Sequence, residues 1–383
     1  MVEGNLINMF IWLGELIIAS LALSYGAEHL SLRYGAKFVG RTVLSIATTL
    51  PEIAIVIYAA ASGSYGVALG AGLGSNLLMM TLGLSIMLII ATTRLSKAPL
   101  KAIDVSIFKL DKIFLIITAV VSAVLFIDGY NYIDGFIFTV MFIAYLIMAL
   151  YEMKAEKGKV NILNNKLVKK NIDNKTDMKN TSKRGAAATT TITTNKSGYD
   201  FGEVKQDFQR MSRDFDRQMI KATLTFVAGT AGILIGAEPF IHSLEGFSVD
   251  IGISAVILAV IISPIAGEMP EKISLMLLAR KGADGPSIAV ANVLGSKILN
   301  NTLLLAVAIF GAMYHGGFFS VIGANSLLSY QLVLVTSVTI IALIPMFKKE
   351  IGLKAGVMLA VMYITSLLIQ FLMSHESISG WKA

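Results

Sequence analysis

The sequence predicts an all-α membrane protein of ten transmembrane helices arranged as two inverted five-helix repeats. Three observations carry that prediction: ten long apolar stretches, a strict alternation of charge in the segments between them, and acidic motifs that recur five spans apart. Of 383 residues, 55% are hydrophobic and only 15% charged, with a mean hydropathy of +0.72, whereas a soluble domain carries about 25% charged residues. The stretches run roughly over 5–26, 38–61, 66–91, 113–128, 135–151, 222–242, 251–279, 286–312, 328–346 and 353–373. Each approaches the ~20 residues a helix needs to cross a hydrocarbon core, the fourth and fifth being short. The first lacks a basic leader, carries Glu15 in its middle and continues to about Gly26, so it reads as a spanning helix rather than a signal peptide. With no cysteine in the chain, disulfides and thiolate metal sites are excluded.

A net charge of +7 suggests a nucleic-acid partner until its distribution is inspected. The segment 152–221 holds 16 Lys/Arg and 9 Asp/Glu, a net charge equal to that of the whole chain. Further basic clusters follow the first, third, seventh and ninth spans, among them Arg33, Lys37 and Arg41; Arg94, Lys97, Lys101, Lys109 and Lys112; Arg280 and Lys281; and Lys348, Lys349 and Lys354. The alternate loops carry Glu3, Asp128, Asp134, Glu245 and Asp250 instead, with Lys382 their one basic residue. This is the positive-inside pattern of a multi-pass cell-membrane protein. It predicts both termini outside, the loop 152–221 in the cytoplasm, the lipid bilayer as surroundings, and no nucleic-acid or obligatory protein partner.

The repeat appears at three places. Ala47-Thr48-Thr49-Leu50-Pro51-Glu52 in span 2 has a counterpart in Ala266-Gly267-Glu268-Met269-Pro270-Glu271 of span 7. Gly74-Ser75-Asn76 in span 3 is echoed by Gly295-Ser296-Lys297 in span 8, and Gly26-Ala27-Glu28 by Gly236-Ala237-Glu238. Five spans, an odd number, separate the members of each pair, so the halves 1–151 and 222–383 enter the membrane with opposite orientation. Many secondary transporters place a midplane site by this device. Between the halves, 153–200 is polar and rich in Lys, Asn and Thr, as a flexible linker is. Phe201, Val204, Phe208, Met211, Phe215 and Met219 then recur at helical spacing among charges, predicting an amphipathic helix continuous with span 6.

A carboxylate inside a bilayer costs several kcal/mol unless paired or ion-bound, which makes Glu52 and Glu271 site candidates. Each directly follows a proline, and a proline inside a helix frees carbonyls of the preceding turn. That predicts kinked spans with free carbonyl oxygens around Ser45–Thr48 and Ser263–Gly267. Together with the hydroxyls of Thr48, Thr49, Ser75 and Ser296 they form an all-oxygen donor set suited to Ca2+ or Na+, with no His or Cys for a softer metal. Pro-Glu in one span alone would read as a simple kink; its recurrence in inverted register favours the ion site. The glycines near Ser75 and Ser296 also serve close helix packing. Glu28 and Glu238 cap span ends or line an access route, Glu15 is a single unrepeated acid, and Met79 and Met80 read as packing side chains.

The segments 40–90 and 259–312 resemble the α-repeats of the calcium/cation antiporter superfamily, most closely the prokaryotic sodium/calcium exchangers. The pattern Gly-Thr-Ser-x-Pro-Glu, followed some two dozen residues later by Gly-x-x-Gly-Ser-Asn, is matched by Thr48-Thr49-Leu50-Pro51-Glu52 and Gly74-Ser75-Asn76. The second repeat keeps Pro270-Glu271, Asn292 and Gly295-Ser296. The resemblance implies a sodium/calcium exchanger-like fold with no cofactor and with Ca2+ and Na+ as transported ions. It makes Glu52 and Glu271 the paired ligands, with Thr48, Thr49, Ser75 and Ser296 adding oxygens and Ser45 and Asn300 completing the candidate set.

The departures from that pattern are as informative. Gly267-Glu268 replaces a Thr-Ser pair, Lys297 stands where Asn is usual, and Met79 and Asn300 occupy positions usually Asn or Asp. Glu268 and Lys297, opposite in sign on adjacent spans, are expected to pair and to leave the site at a formal charge of −2. The ammonium then takes the place of one Na+, or its deprotonation lets H+ serve as coupling ion; otherwise Lys297 snorkels or faces a polar cavity. Lys272 points about 100° from Glu271 on an ideal helix and is left outside the site. The expected function is Ca2+/Na+ antiport by alternating access, with Ca2+/H+ or other cation/H+ antiport as the alternative and a cation channel on the same scaffold a more distant one. An enzyme is not expected, because no nucleophile–base pair, His-rich metal motif or nucleotide loop is present.

Overall fold

The computed structural model describes residues 2–34, 49–151, 201–282 and 285–379. In chain order the helices are α1 (Val2–Tyr34), α2 (Leu50–Ala61), α3 (Tyr65–Thr92), α4 (Lys109–Leu125), α5 (Tyr132–Tyr151), α6 (Phe201–Ile251), α7 (Ala255–Gly267), α8 (Met269–Lys281), α9 (Gly285–Gly316), α10 (Ser326–Leu343) and α11 (Leu353–Ser379). Segments of α1, α3, α5, α6, α9, α10 and α11 are long and apolar enough to cross a membrane. One compact body comprises Met1–Ile143 with Met219–Ala383, and a second comprises Ala144–Gln218. The predicted linker 153–200 lies outside the described residues. The helix expected over 201–219 is the first part of α6.

Three predicted spans take a different form. The fourth is shifted toward its basic end, as the 17-residue α4. Of the second, α2 is the described part. The seventh is two 13-residue helices, α7 and α8, parted at Glu268, whose backbone leaves helical geometry at φ −101°, ψ 3°. Here the expectation of a kinked continuous span is corrected. Pro51 and Pro270 each stand in the first turn of a helix, α2 and α8, where a missing N–H costs nothing because it would have had no intrahelical acceptor. Proline therefore opens a helix at both places, and Glu52 and Glu271 fall in those first turns. The partial positive charge of a helix start favours a carboxylate there.

The main body is built around α3 and α9. Buried residues make up 78% and 83% of their most apolar windows, against 33% for α1 and 22% for α11. The short helix α7 lies along α3, α2 packs on α3 and on the second half of α9, and α8 packs beside the first half of α9. Helix α1 covers α7 and α8, α10 pairs with α4, and α11 packs on the second half of α3. The outer helices turn apolar side chains such as Ile18, Val249 and Leu372 away from the body, as a hydrocarbon solvent permits. Both central helices contain one widened π-helical turn, at Met79–Gly83 in α3 and Asn300–Leu304 in α9. Each begins four residues after the serine of its Gly-Ser pair, so the 221-residue offset between Ser75 and Ser296 extends to backbone geometry.

The ends of the body are tied by short contacts. Ile103–Asp104 pairs antiparallel with Glu350–Ile351, and Lys112 Nζ donates to the carbonyls of Val105 at 2.9 Å and Met346 at 2.6 Å. Beside that ribbon, hydrogen bonds from Ser106 hold the Asp104 carboxyl below the usual carboxylate range. A single bridge joins Tyr130 to Ile322 between the loops after α4 and α9, and Asn5 Nδ2 donates to Asp250 Oδ2 at 2.8 Å between α1 and α6.

Close approach of α3 and α7 depends on Gly74, where an added Cβ would lie 2.0 Å from the Val260 carbonyl oxygen. A backbone obstacle cannot rotate aside, so Gly74→Ala must part the helices at a cost of about 1–3 kcal/mol. The expected outcome is a lowered melting temperature of the purified protein, whereas Gly323→Ala, with nothing within 4 Å of its Cβ position, leaves it unchanged.

Candidate ion-binding site

Glu52 enters the body on the first turn of α2 and is 3% exposed. It lies against Gly267, the last residue of α7: a Cβ at Gly267 would come within 2.9 Å of Glu52 Cγ and 3.1 Å of its Oε1. The residue that replaces a hydroxyl amino acid of the resembled motif thus gives up its side chain to make room for the carboxylate of the other half. Glu52 Oε2 is buried with no hydrogen-bond partner among the described residues. In an apolar setting such an oxygen is costly, and a bound cation or a proton is what would satisfy it.

Next to it, at the break between α7 and α8, Glu268 is fully buried and forms an ion pair with the 1%-exposed Lys297 of α9. Ser75 of α3 joins them: its hydroxyl donates to Glu268 Oε1 and accepts from Lys297 Nζ at 2.7 Å. The Ser75 carbonyl lies 3.5 Å from the same ammonium. Asn300, at the start of the π-turn in α9, completes the ring. With its amide oxygen turned to the ammonium, it accepts from Lys297 Nζ at 3.2 Å and donates to the Ser296 carbonyl at 3.3 Å. Lys297 therefore does not snorkel; its ammonium sits among oxygens from three separate chain segments. The other carboxylate oxygen of the pair, Glu268 Oε2, is buried and unpartnered among the described residues.

Glu271, one turn along from Glu268, is 2% exposed. Its Oε1 accepts from Ser296 Oγ at 2.8 Å and Asn292 Nδ2 at 3.1 Å, both on α9. Glu52, Glu268, Glu271 and Lys297 lie within Coulombic reach of one another. Among the described residues no three carboxylate or imidazole side chains converge as a ready metal cluster. A cation here would be held by single carboxylates combined with hydroxyl, amide and carbonyl oxygens.

The structure thus assembles Glu52, Glu268, Glu271, Ser75, Ser296, Lys297 and Asn300 in one buried region. Thr49, 4% exposed, immediately precedes α2. Ser45, Thr48 and the side chain of Glu28 lie outside the described residues. Met79 is fully buried in the first π-turn. Glu238 lies apart from this region, lining with His242 and Tyr58 a cavity of about 160 Å3.

Three contacts went unread in the sequence. Asn76 Nδ2 donates to Asn301 Oδ1, joining the two central helices one residue beyond Ser75 and Asn300. Asn292, in sequence only a motif residue, holds Glu271. Lys272, left outside the site, reaches back to the Pro264 carbonyl at 3.0 Å, so one carbonyl proposed as an ion ligand is occupied by a lysine instead. The available signal was spacing: residues 264 and 272 lie two turns apart across the helix break.

Comparison with known proteins fits this geometry. A family model described as sodium/calcium exchanger protein matches residues 6–151 and 221–372, nearly all of both halves. The chain belongs to the sodium/calcium exchanger family. An uncharacterized membrane protein of Methanocaldococcus jannaschii is 23% identical over 370 residues, covering 94% of this exchanger-family chain and 98% of the relative. Among solved structures, the H+/Ca2+ exchanger CAX aligns with a TM-score of 0.71 at 17% identity, over 98% of this chain and 85% of that one. The sodium–calcium exchanger NCX_Mj aligns with a TM-score of 0.55 at 20% identity, over 96% and 99%. These likenesses give the family member its exchanger fold.

A pair as deeply buried as Glu268–Lys297 is held in place by mutual need. Breaking it from one side, by Lys297→Met or Glu268→Gln, is expected to destabilise the protein by about 3–5 kcal/mol, and removing both charges together by much less. Thermal unfolding of the two single variants and the double variant measures the difference; equal losses in all three would show that the charges do not stabilise each other.

Proposed function

We propose that this protein is a secondary active antiporter that exchanges Ca2+ for Na+ by alternating access. The observation that carries the reading is a pair of buried carboxylates, Glu52 and Glu271, delivered by equivalent Pro-Glu helix starts, with Glu52 Oε2 unpartnered among the described residues and Glu271 backed by Ser296 and Asn292. On this reading the chain has ten spans in two inverted repeats, 1–151 and 222–383. Both termini face outside, and the basic loop 152–221 is cytoplasmic. Ca2+ binds at Glu52 and Glu271, with Thr48, Thr49, Ser45, Ser75, Ser296 and Asn300 as the surrounding oxygens. Two bare carboxylates in hydrocarbon repel and hold the empty site open; an ion-loaded, neutralised site can close and reopen on the other side. That requirement couples the two fluxes, which a channel would not do.

A specific observation favours a second reading, Ca2+/H+ antiport. Ser75 and Asn300, two of the oxygens Na+ would use, are engaged by Lys297 and Glu268. The solved structures that share the fold are named for both kinds of exchange, and Ca2+ is common to the names.

The test is 45Ca2+ uptake into proteoliposomes under imposed Na+ or H+ gradients. Uptake driven by an outward Na+ gradient is expected, with Glu52→Gln and Glu271→Gln each reducing it at least a hundredfold, a transition of about 2.7 kcal/mol or more. Uptake driven by H+ and indifferent to Na+ would select the second reading. A linear conductance without countertransport would overturn both.

A further inference from the structure

Lys297, unlike the acids and hydroxyls around it, is a residue that no ion-binding cage requires. Its ammonium sits fully buried amid Glu268 Oε1, Ser75 Oγ at 2.7 Å, the Ser75 carbonyl at 3.5 Å and the Asn300 amide oxygen at 3.2 Å. These are a carboxylate, a hydroxyl, a main-chain carbonyl and a side-chain carbonyl, the donor types that coordinate a hard monovalent cation. They come from α3, α9 and the break between α7 and α8, so the nitrogen occupies a point where the two halves of the chain meet. An ordinary structural lysine pair would be settled by one carboxylate; this one is enclosed by a cage.

We propose that the Lys297 ammonium is a tethered coupling ion: it permanently fills a monovalent-cation position of the transport site, with Glu268 as its counter-charge. The proposal rests on the antiporter reading above and deepens it. With Glu268 and Lys297 cancelling, the site presents the two charges of Glu52 and Glu271, which one Ca2+ or two monovalent charges neutralise. One fewer monovalent ion is exchanged per Ca2+ than in a cage where that position is filled from solution. It also follows that Glu268, although it is the most deeply buried acid of the region, is not a Ca2+ ligand.

A tethered ion can be replaced by a free one. In Lys297→Ala, methylammonium, which reproduces the end of the lysine side chain, is expected to enter the vacated position. Thermal unfolding of the purified full-length protein at constant ionic strength reads this. The melting temperature of Lys297→Ala should rise saturably with methylammonium chloride and not with choline chloride, whose cation is too large. The unsubstituted protein and Glu268→Gln/Lys297→Ala, which keeps the space but lacks the anion, should not respond. No specific response in Lys297→Ala, or the same response in the unsubstituted protein, overturns the proposal. If Lys297→Ala is recovered in folded form only when methylammonium is present during extraction, that too is the expected rescue.

A second arm uses 45Ca2+ uptake. Glu268→Gln strands the ammonium and leaves a site of formal charge −1, so uptake should fall at least tenfold. Adding Lys297→Gln should recover at least tenfold over that single variant, and equal loss in both overturns the proposal. Absence of Ca2+ uptake by the unsubstituted protein under every gradient would sink the antiporter reading while leaving the methylammonium result to stand or fall alone.

Discussion

An ionisable group in the middle of a bilayer has no water to turn to, and the central body of this protein is organised by that constraint. Glu52, Glu268, Glu271 and Lys297 are all nearly inaccessible, and each must be met by a neighbour, an ion or a proton. The Glu268–Lys297 pair meets part of the demand internally. Around it, Gly267 lets Glu52 lie against the end of α7, and Gly74 lets α3 approach α7 at backbone distance. Small residues and buried charges are thus two sides of one arrangement: close packing brings the polar groups within reach, and the polar groups fix the register of the packing.

Helix ends do the remaining work. Proline in a first turn starts α2 and α8 without the cost of an interior kink, and places an acid at the positive end of each. At the interruption the Pro264 carbonyl keeps its helical bond from the Glu268 N–H and accepts a second donor, the Lys272 ammonium. The π-turns of α3 and α9, beginning at Met79 and Asn300, sit at equivalent positions of the two central helices. Non-helical backbone at this depth is tolerable only where protein rather than lipid surrounds it, and α3 and α9 are the most enclosed of the long helices.

Much of this was legible in the sequence. Hydropathy located the long helices, because a lipid-facing helix must be apolar over its whole length. The recurrence of Pro51-Glu52 as Pro270-Glu271 and of Ser75 as Ser296 located the acids and hydroxyls that the fold brings together. The opposed charges of Glu268 and Lys297 pointed to each other because neither can be left alone in hydrocarbon. What could not be read was local geometry. A proline that kinks a helix and one that begins a helix look alike in sequence, so the seventh span was expected whole and is two helices. A π-turn has no residue signature, and Asn301, which meets Asn76, lies in one. The ideal helix angle points Lys272 away from Glu271 and does not account for a long side chain folding back over a chain break.

The site that results is asymmetric around a symmetric pair. One half contributes Glu52, with an oxygen unpartnered among the described residues; the other contributes Glu271 with two donors already in place and a lysine beside it. Anomalous diffraction from crystals soaked in Sr2+, a Ca2+ surrogate, tests the central claim most directly. The account predicts one strong peak bounded by the carboxylates of Glu52 and Glu271, with Lys297 still paired to Glu268. A peak at Glu268 with the lysine displaced, or no peak near Glu52 and Glu271 at saturating Sr2+, would contradict it.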